Sequence, residues 1–164
     1  MDTLIIFGAE YLYLFIVTAT LVYIWRQPKE LRWEIAVFAA IALPLTYIIA
    51  KISSAFYYDP RPFVIGQFTP LLPHAPDNGF PSDHTLLSSA IATVILFFHR
   101  RLGLLLLGGA FVVGALRVFA GVHHFIDIFG SMAIALVVTL ITWKHFLPGA
   151  WKLFSKKYLG TTVK

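Results

Sequence analysis

The sequence predicts an all-α fold: a multi-pass transmembrane helical bundle of about five spanning helices, with a short helix in one loop. Two observations carry this. Hydrophobic residues make up 59% of the 164 positions and charged ones 13%, where a soluble domain carries roughly a quarter charged; the mean hydropathy is +0.79. The apolar residues are also gathered into long runs, and a spanning helix needs about 20 of them.

Five segments qualify in order. The first, Leu4–Trp25, holds one intramembrane charge, Glu10, which reads as an interfacial carboxylate facing water. It is too long, and lacks the basic leader, for a cleavable signal peptide. The second, Trp33–Ile52, contains Pro44 and is expected to bend there or be satisfied by neighbours. His84–Phe98 is short, and Ser82 extends it. Leu102–Ala120 carries "GLLLLGG" and Gly114, small surfaces for close helix packing. Phe125–Leu147 completes the set. Residues 1–164 form one membrane-embedded domain without internal repeats.

The connections divide by charge. Ten of the thirteen Lys and Arg residues fall on one side: Arg26, Lys29, Arg32, Arg100, Arg101, Lys144, Lys152, Lys156, Lys157 and Lys164. Only Lys51, Arg61 and Arg117 fall on the other. Basic loops stay cytoplasmic, so the N-terminus is expected outside, with the Pro-rich loop 53–81, while the basic aromatic tail "WKLFSKKYLGTTVK" meets the inner surface. The net charge of +5 is mostly this orientation signal and gives no support to a nucleic-acid partner. With no cysteine there is no disulfide, no thiolate nucleophile and no Cys-based metal site.

The outer face has an unusual polar set. "KISSAFYYDPRPF" brings Lys51 and Arg61, "GFPSDH" brings Ser82, Asp83 and His84, and "LRVFAGVHHFID" brings Arg117, His123, His124 and Asp127. Singly each has a structural explanation: a loop Arg-Pro, a helix cap, histidines snorkelling to water, a cation at a helix end. Together they need all these explanations on one face. Guanidinium forks suit phosphate oxygens, and a helix start offers N–H groups to an anion. A histidine attacks phosphorus when a carboxylate fixes its tautomer. Asp127 lies four residues from His123 and three from His124, and both spacings place an imidazole on its face of a helix.

At these residues the sequence resembles the type 2 phosphatidic acid phosphatase superfamily of membrane lipid phosphatases. That signature reads Lys-x6-Arg-Pro, Pro-Ser-Gly-His and Ser-Arg-x5-His-x3-Asp. Here Arg117, His123 and Asp127 match the third part in spacing, Pro81-Ser82-Asp83-His84 matches the second with Asp for Gly, and Arg61-Pro62 ends the first. Lys51 lies too early, Ser54 takes the family's Lys position, and Leu116 replaces a Ser. "FPSDH" resembles the bacterial undecaprenyl-diphosphate phosphatase branch.

The resemblance implies metal-independent hydrolysis, without a cofactor, through a phosphohistidine. It makes His123 the nucleophile, Asp127 its orienting partner and His84 the acid. It assigns the phosphate to Arg61, Arg117, Ser82, the Asp83 backbone N–H and Lys51. The partners implied are a lipid phosphate or diphosphate and the plasma membrane. The substrate implied is undecaprenyl diphosphate, ahead of phosphatidylglycerophosphate, phosphatidic acid or lipid A phosphate. A transporter or channel would instead set its ionisable residues deep within broken or repeated helices.

Overall fold

The computed structural model describes residues 1–145. These form α1 (Asp2–Trp25), α2 (Lys29–Phe56), α3 (Pro62–Gly66), α4 (Asp83–Phe98), α5 (Arg100–Phe119) and α6 (Phe125–His145), with no strand among the described residues. The basic tail and the end of the fifth segment at Leu147 lie outside them. Helices α1, α2, α5 and α6 each have the length and hydropathy to cross a membrane. Helix α4 is equally apolar but has 16 residues, about 24 Å at ~1.5 Å per residue, against a hydrocarbon core of about 30 Å. The five-helix bundle thus has four full-length members and one short one.

The short helix is the central one. α4 packs on α1, α2, α5 and α6, and its buried positions are mostly small or hydroxylated, among them Thr85, Ser88, Ser89, Ala92 and Thr93. Lipid provides no hydrophobic force between helices, so close backbone approach and dispersion hold such a bundle together. Gly114 of α5 meets this need: a Cβ there would collide with Ile128 of α6 and Thr85 of α4. The far end closes on aromatics, with the Phe38 ring 5.4 Å from Trp143 and 5.7 Å from Phe97. Outward, α1 exposes Leu4, Phe7, Phe15 and Leu21, an apolar surface suited to lipid.

Two details position the site. α2 runs unbroken through Pro44 and continues past Ile52 to Phe56, where Ser53 Oγ donates back to the Ile49 carbonyl at 2.8 Å. Lys51 and Ser54 therefore share one helix face. Gly121, at φ +78°, turns the chain after α5, a conformation that costs glycine little. Beyond it, Ala120 and Val122 join Ala9 and Leu72 in a small apolar cluster, and the Leu71 N–H donates to the Ala120 carbonyl at 3.0 Å. The long loop is so pinned to the α5–α6 turn, next to the starts of α1 and α4.

Candidate active site

His123 precedes α6 by two residues and Asp127 lies in its first turn. Both are buried, and His123 Nδ1 is 3.1 Å from Asp127 Oδ2. The same oxygen accepts the His124 backbone N–H at 2.9 Å. Since Asp127 is an acceptor here, His123 donates from Nδ1 and carries its lone pair on Nε2, where the one contact is long. Burial lowers the His123 pKa below the ordinary imidazole value. The Asp127 hydrogen bond opposes the shift, and the Arg117 and Arg61 charges add to it. The ring is thereby held neutral. The neighbouring His124 is committed elsewhere: its Nδ1 is 2.6 Å from Asp59 Oδ2. Of the two rings, which spacing alone does not distinguish, that of His123 is bonded to the Asp127 carboxylate and that of His124 to Asp59.

Two buried arginines flank this pair. Arg61, just before α3, donates from Nε to Asp77 at 2.7 Å and from Nη1 to the Val122 carbonyl at 2.8 Å. Its Nη1 lies 3.5 Å from His123 Nε2. Partial burial opposes ionisation of Asp77, but the Arg61 hydrogen bond and charge outweigh it and hold the carboxyl below its usual range. Among the described residues, Arg117, in the last turn of α5, bonds only to the Ala9 carbonyl, at 3.3 Å, and its buried Nε has no partner.

From α4, Asp83 and His84 reach the same place. A cavity of about 170 Å³ brings together Lys51, Arg61, Asp83, His84, Arg117 and His123. Lys51 Nζ is 3.8 Å from Asp83 Oδ1, both side chains largely exposed, so this link is weak and screened. Its position one turn before Ser54, which also borders the cavity, is how a lysine three residues early still arrives. The His84 ring stands edge-on to Tyr13 of α1, with centroids 4.9 Å apart.

Two expected site residues are not on the cavity wall. Asp127 is fully buried behind His123. Ser82, expected to offer its hydroxyl to phosphate, is also fully buried. It precedes α4 without capping it through its side chain. Its Oγ accepts from Thr85 at 3.1 Å and its carbonyl from Ser131 of α6 at 3.1 Å, because the small α4–α6 contact draws it inward.

The sequence reading missed the loop residues that hold the arginine. Asn78 Oδ1 accepts from the Asp59 and Phe80 N–H groups, its amide donates to Ser54 and Tyr57, and its carbonyl lies 3.4 Å from Arg61 Nη2. His74 and Asp77 also border the cavity. Gly79 permits a close approach: a Cβ there would stand 3.0 Å from Asp127 Oδ2 and 3.2 Å from the Asp59 carbonyl oxygen. Asp59, His124 and Asp127 have ligand atoms within 4.8 Å of one another, a spacing their mutual hydrogen bonds explain.

Known proteins match this chain in sequence and in fold. The sequence model of the PAP2 superfamily matches residues 33–148. The chain belongs to the PAP2 superfamily. It is 31% identical over 144 residues to "Bacitracin transport permease protein BcrC" of Bacillus licheniformis, covering 87% of this chain and 70% of that one. It is 29% identical to "Undecaprenyl-diphosphatase BcrC" of Bacillus subtilis (strain 168), covering 88% and 74%. Among solved structures, Aquifex aeolicus LpxE aligns with a TM-score of 0.71 and 25% identity over 88% of each chain. With membership comes the class: this PAP2 chain is a multi-pass membrane phosphatase.

Proposed function

We propose that this protein hydrolyses undecaprenyl diphosphate to undecaprenyl phosphate and phosphate, on the extracytoplasmic face of a prokaryotic plasma membrane, through a phosphohistidine. The observation that carries the reading is the buried His123–Asp127 pair, whose Nε2 lies beside Arg61 in a cavity shared with Arg117, Lys51 and His84. His123 Nε2 attacks the terminal phosphorus while Asp127 stabilises the imidazolium that forms. The bond from phosphorus to the leaving oxygen breaks, and His84 gives that oxygen its proton. Water then attacks the phosphohistidine, His84 takes the water's proton, and the P–N bond breaks to release phosphate. The arginines and Lys51 offset the charge on the phosphoryl oxygens throughout.

A lipid substrate is supported by a second cavity of about 310 Å³ between α2 and α4, bordered by Leu43, Tyr47, Leu86 and Ala90. It shares Asp83 with the phosphate cavity, so an apolar path leads from the reacting centre along α4. The relative from Bacillus subtilis supports the diphosphate of undecaprenol. The outer face is supported by charge: six described Lys and Arg residues lie at the opposite end and only Lys51, Arg61 and Arg117 at this one, the cytoplasmic side being the richer.

The test is phosphate release by purified protein in detergent with EDTA, comparing undecaprenyl diphosphate with phosphatidylglycerophosphate, phosphatidic acid and a lipid A phosphate. Release that ranks undecaprenyl diphosphate first and disappears in His123→Ala is expected. Release that survives in His123→Ala overturns the nucleophile. Hydrolysis of a membrane-impermeant ester by intact cells tests the face, and activity seen only after permeabilisation reverses it.

A further inference from the structure

His74 lies on the long loop, at the exposed rim of the phosphate cavity. Its ring centroid is 6.3 Å from that of His123, at 76°. Among the described residues neither of its ring nitrogens has a hydrogen-bond partner. The loop nonetheless holds it in place: Leu72, two residues before, is buried against Ala9, Ala120 and Val122, and Asp77, three residues after, is bonded to Arg61. An imidazole fixed on both sides, unbonded, and facing the cavity is poised for a ligand.

We propose that His74 is a substrate-contacting residue that donates a hydrogen bond to a non-bridging oxygen of the phosphoryl group as it passes to His123. This rests on the phosphohistidine reading. The ring separation is too wide for a direct bond, yet a hydrogen bond to an oxygen spans about 2.9 Å, which leaves room for one phosphoryl oxygen between the imidazoles. His74 approaches beside His123, whereas His84 comes from α4. It therefore contacts the group being transferred, and the leaving oxygen remains with His84. Partial burial and the charges of Arg61 and Arg117 lower its pKa, against Asp77. A bound phosphate reverses that balance, so phosphate binding takes up a proton at His74.

The experiment uses the full-length protein in detergent with inorganic phosphate as competitive inhibitor, between about pH 5 and 8. In His74→Ala, phosphate inhibition should weaken about tenfold on the acid side, the loss of one charge-assisted hydrogen bond, and the difference from wild type should shrink as pH rises. Lys51, Asp83, His84, Arg117 and the phosphate are common to both proteins, so the difference isolates His74. His74→Gln, which keeps a donor without a titration, should bind phosphate nearly as wild type at high pH and lack the acid-side gain. Unchanged inhibition in both variants overturns the proposal, and so does a loss equal at every pH, which a displaced loop would give. His123→Ala, run alongside, keeps the cases apart: activity surviving there refutes the mechanism itself, while its loss with unchanged His74 variants refutes His74 alone.

Discussion

Replacing Asp127 by Asn removes a charge from the site while leaving its shape. The carboxylate is fully buried, and its Oδ2 accepts from His123 Nδ1 and from the His124 N–H. An amide oxygen at that place keeps both contacts. The reverse orientation would set an amide N–H₂ against the His124 N–H at 2.9 Å, so the Asn is held with its nitrogen where Oδ1 now has no partner. An unsatisfied buried donor there costs about 1–3 kcal/mol of stability. The rate falls by more than the loss of a bond between neutral groups. Exchanging a charge-assisted hydrogen bond for a neutral one costs about 1 kcal/mol. Attack also leaves a cation on His123, and a unit charge about 4 Å away contributes about 4 kcal/mol at an effective dielectric near 20. At about 1.4 kcal/mol per decade, kcat should fall between about tenfold and a thousandfold. KM should hold within about threefold, because Asp127 does not border the cavity. Steady-state phosphate release over a range of lipid diphosphate concentrations reads both constants. A kcat within about threefold of wild type, or a change confined to KM, would refute the claim that Asp127 stabilises a charged imidazole.

In the proposed mechanism the neutral His123 imidazole is the nucleophile, and burial lowers its pKa. The acid limb of kcat/KM should therefore lie below the ordinary imidazole value of about 6.5, with activity present above the lowered pKa and lost as pH falls through it; a limb above that value would contradict the buried, neutral ring. Gly79→Ala places a methyl 3.0 Å from Asp127 Oδ2 and should lower kcat by about tenfold through misplacing the dyad, with an unchanged thermal midpoint and unchanged activity refuting the close approach. Lys51→Met should raise KM several-fold and leave kcat nearly intact, since an exposed cation 3.8 Å from Asp83 contributes about 1 kcal/mol at most; added salt should weaken wild-type binding and affect the variant less, and equal salt sensitivity would place Lys51 outside the phosphate field.

The bundle was readable because lipid demands apolar runs of a fixed length, and those runs are plain from Leu4 to Trp25 and in the later segments. A short helix was expected in the long loop, and the structure places it at Pro62–Gly66, with a proline at its start. The grouping of candidate site residues was readable where they lie close in sequence, as with Arg117, His123 and Asp127. What was hidden depends on the path of the Pro-rich loop. Arg61 meets Asp77 sixteen residues on, and His124 meets Asp59 across sixty-five; no local pattern reports such pairings. The surroundings of Ser82 were hidden for a related reason. A serine before a helix looks like a cap or an anion ligand, and only the packing of α4 on α6 shows that Thr85 and Ser131 claim it.

The lengths of the arginine contacts separate firmly fastened guanidinium donors from loosely held ones. Arg61 is fastened by two short bonds, 2.7 Å to Asp77 and 2.8 Å to Val122, while its contacts to Asn78 and His123 are stretched to 3.4 and 3.5 Å. Arg117 has one long bond, 3.3 Å to Ala9, and an orphaned Nε. Leaving buried donors this poorly satisfied costs stability, and a bundle held by packing along α4 can carry that cost. In the proposed function the anchored guanidinium does not have to reorganise around a phosphate, and the weak contacts are the ones its oxygens displace. Tightening those contacts by substitution should therefore stabilise the fold and slow the enzyme together.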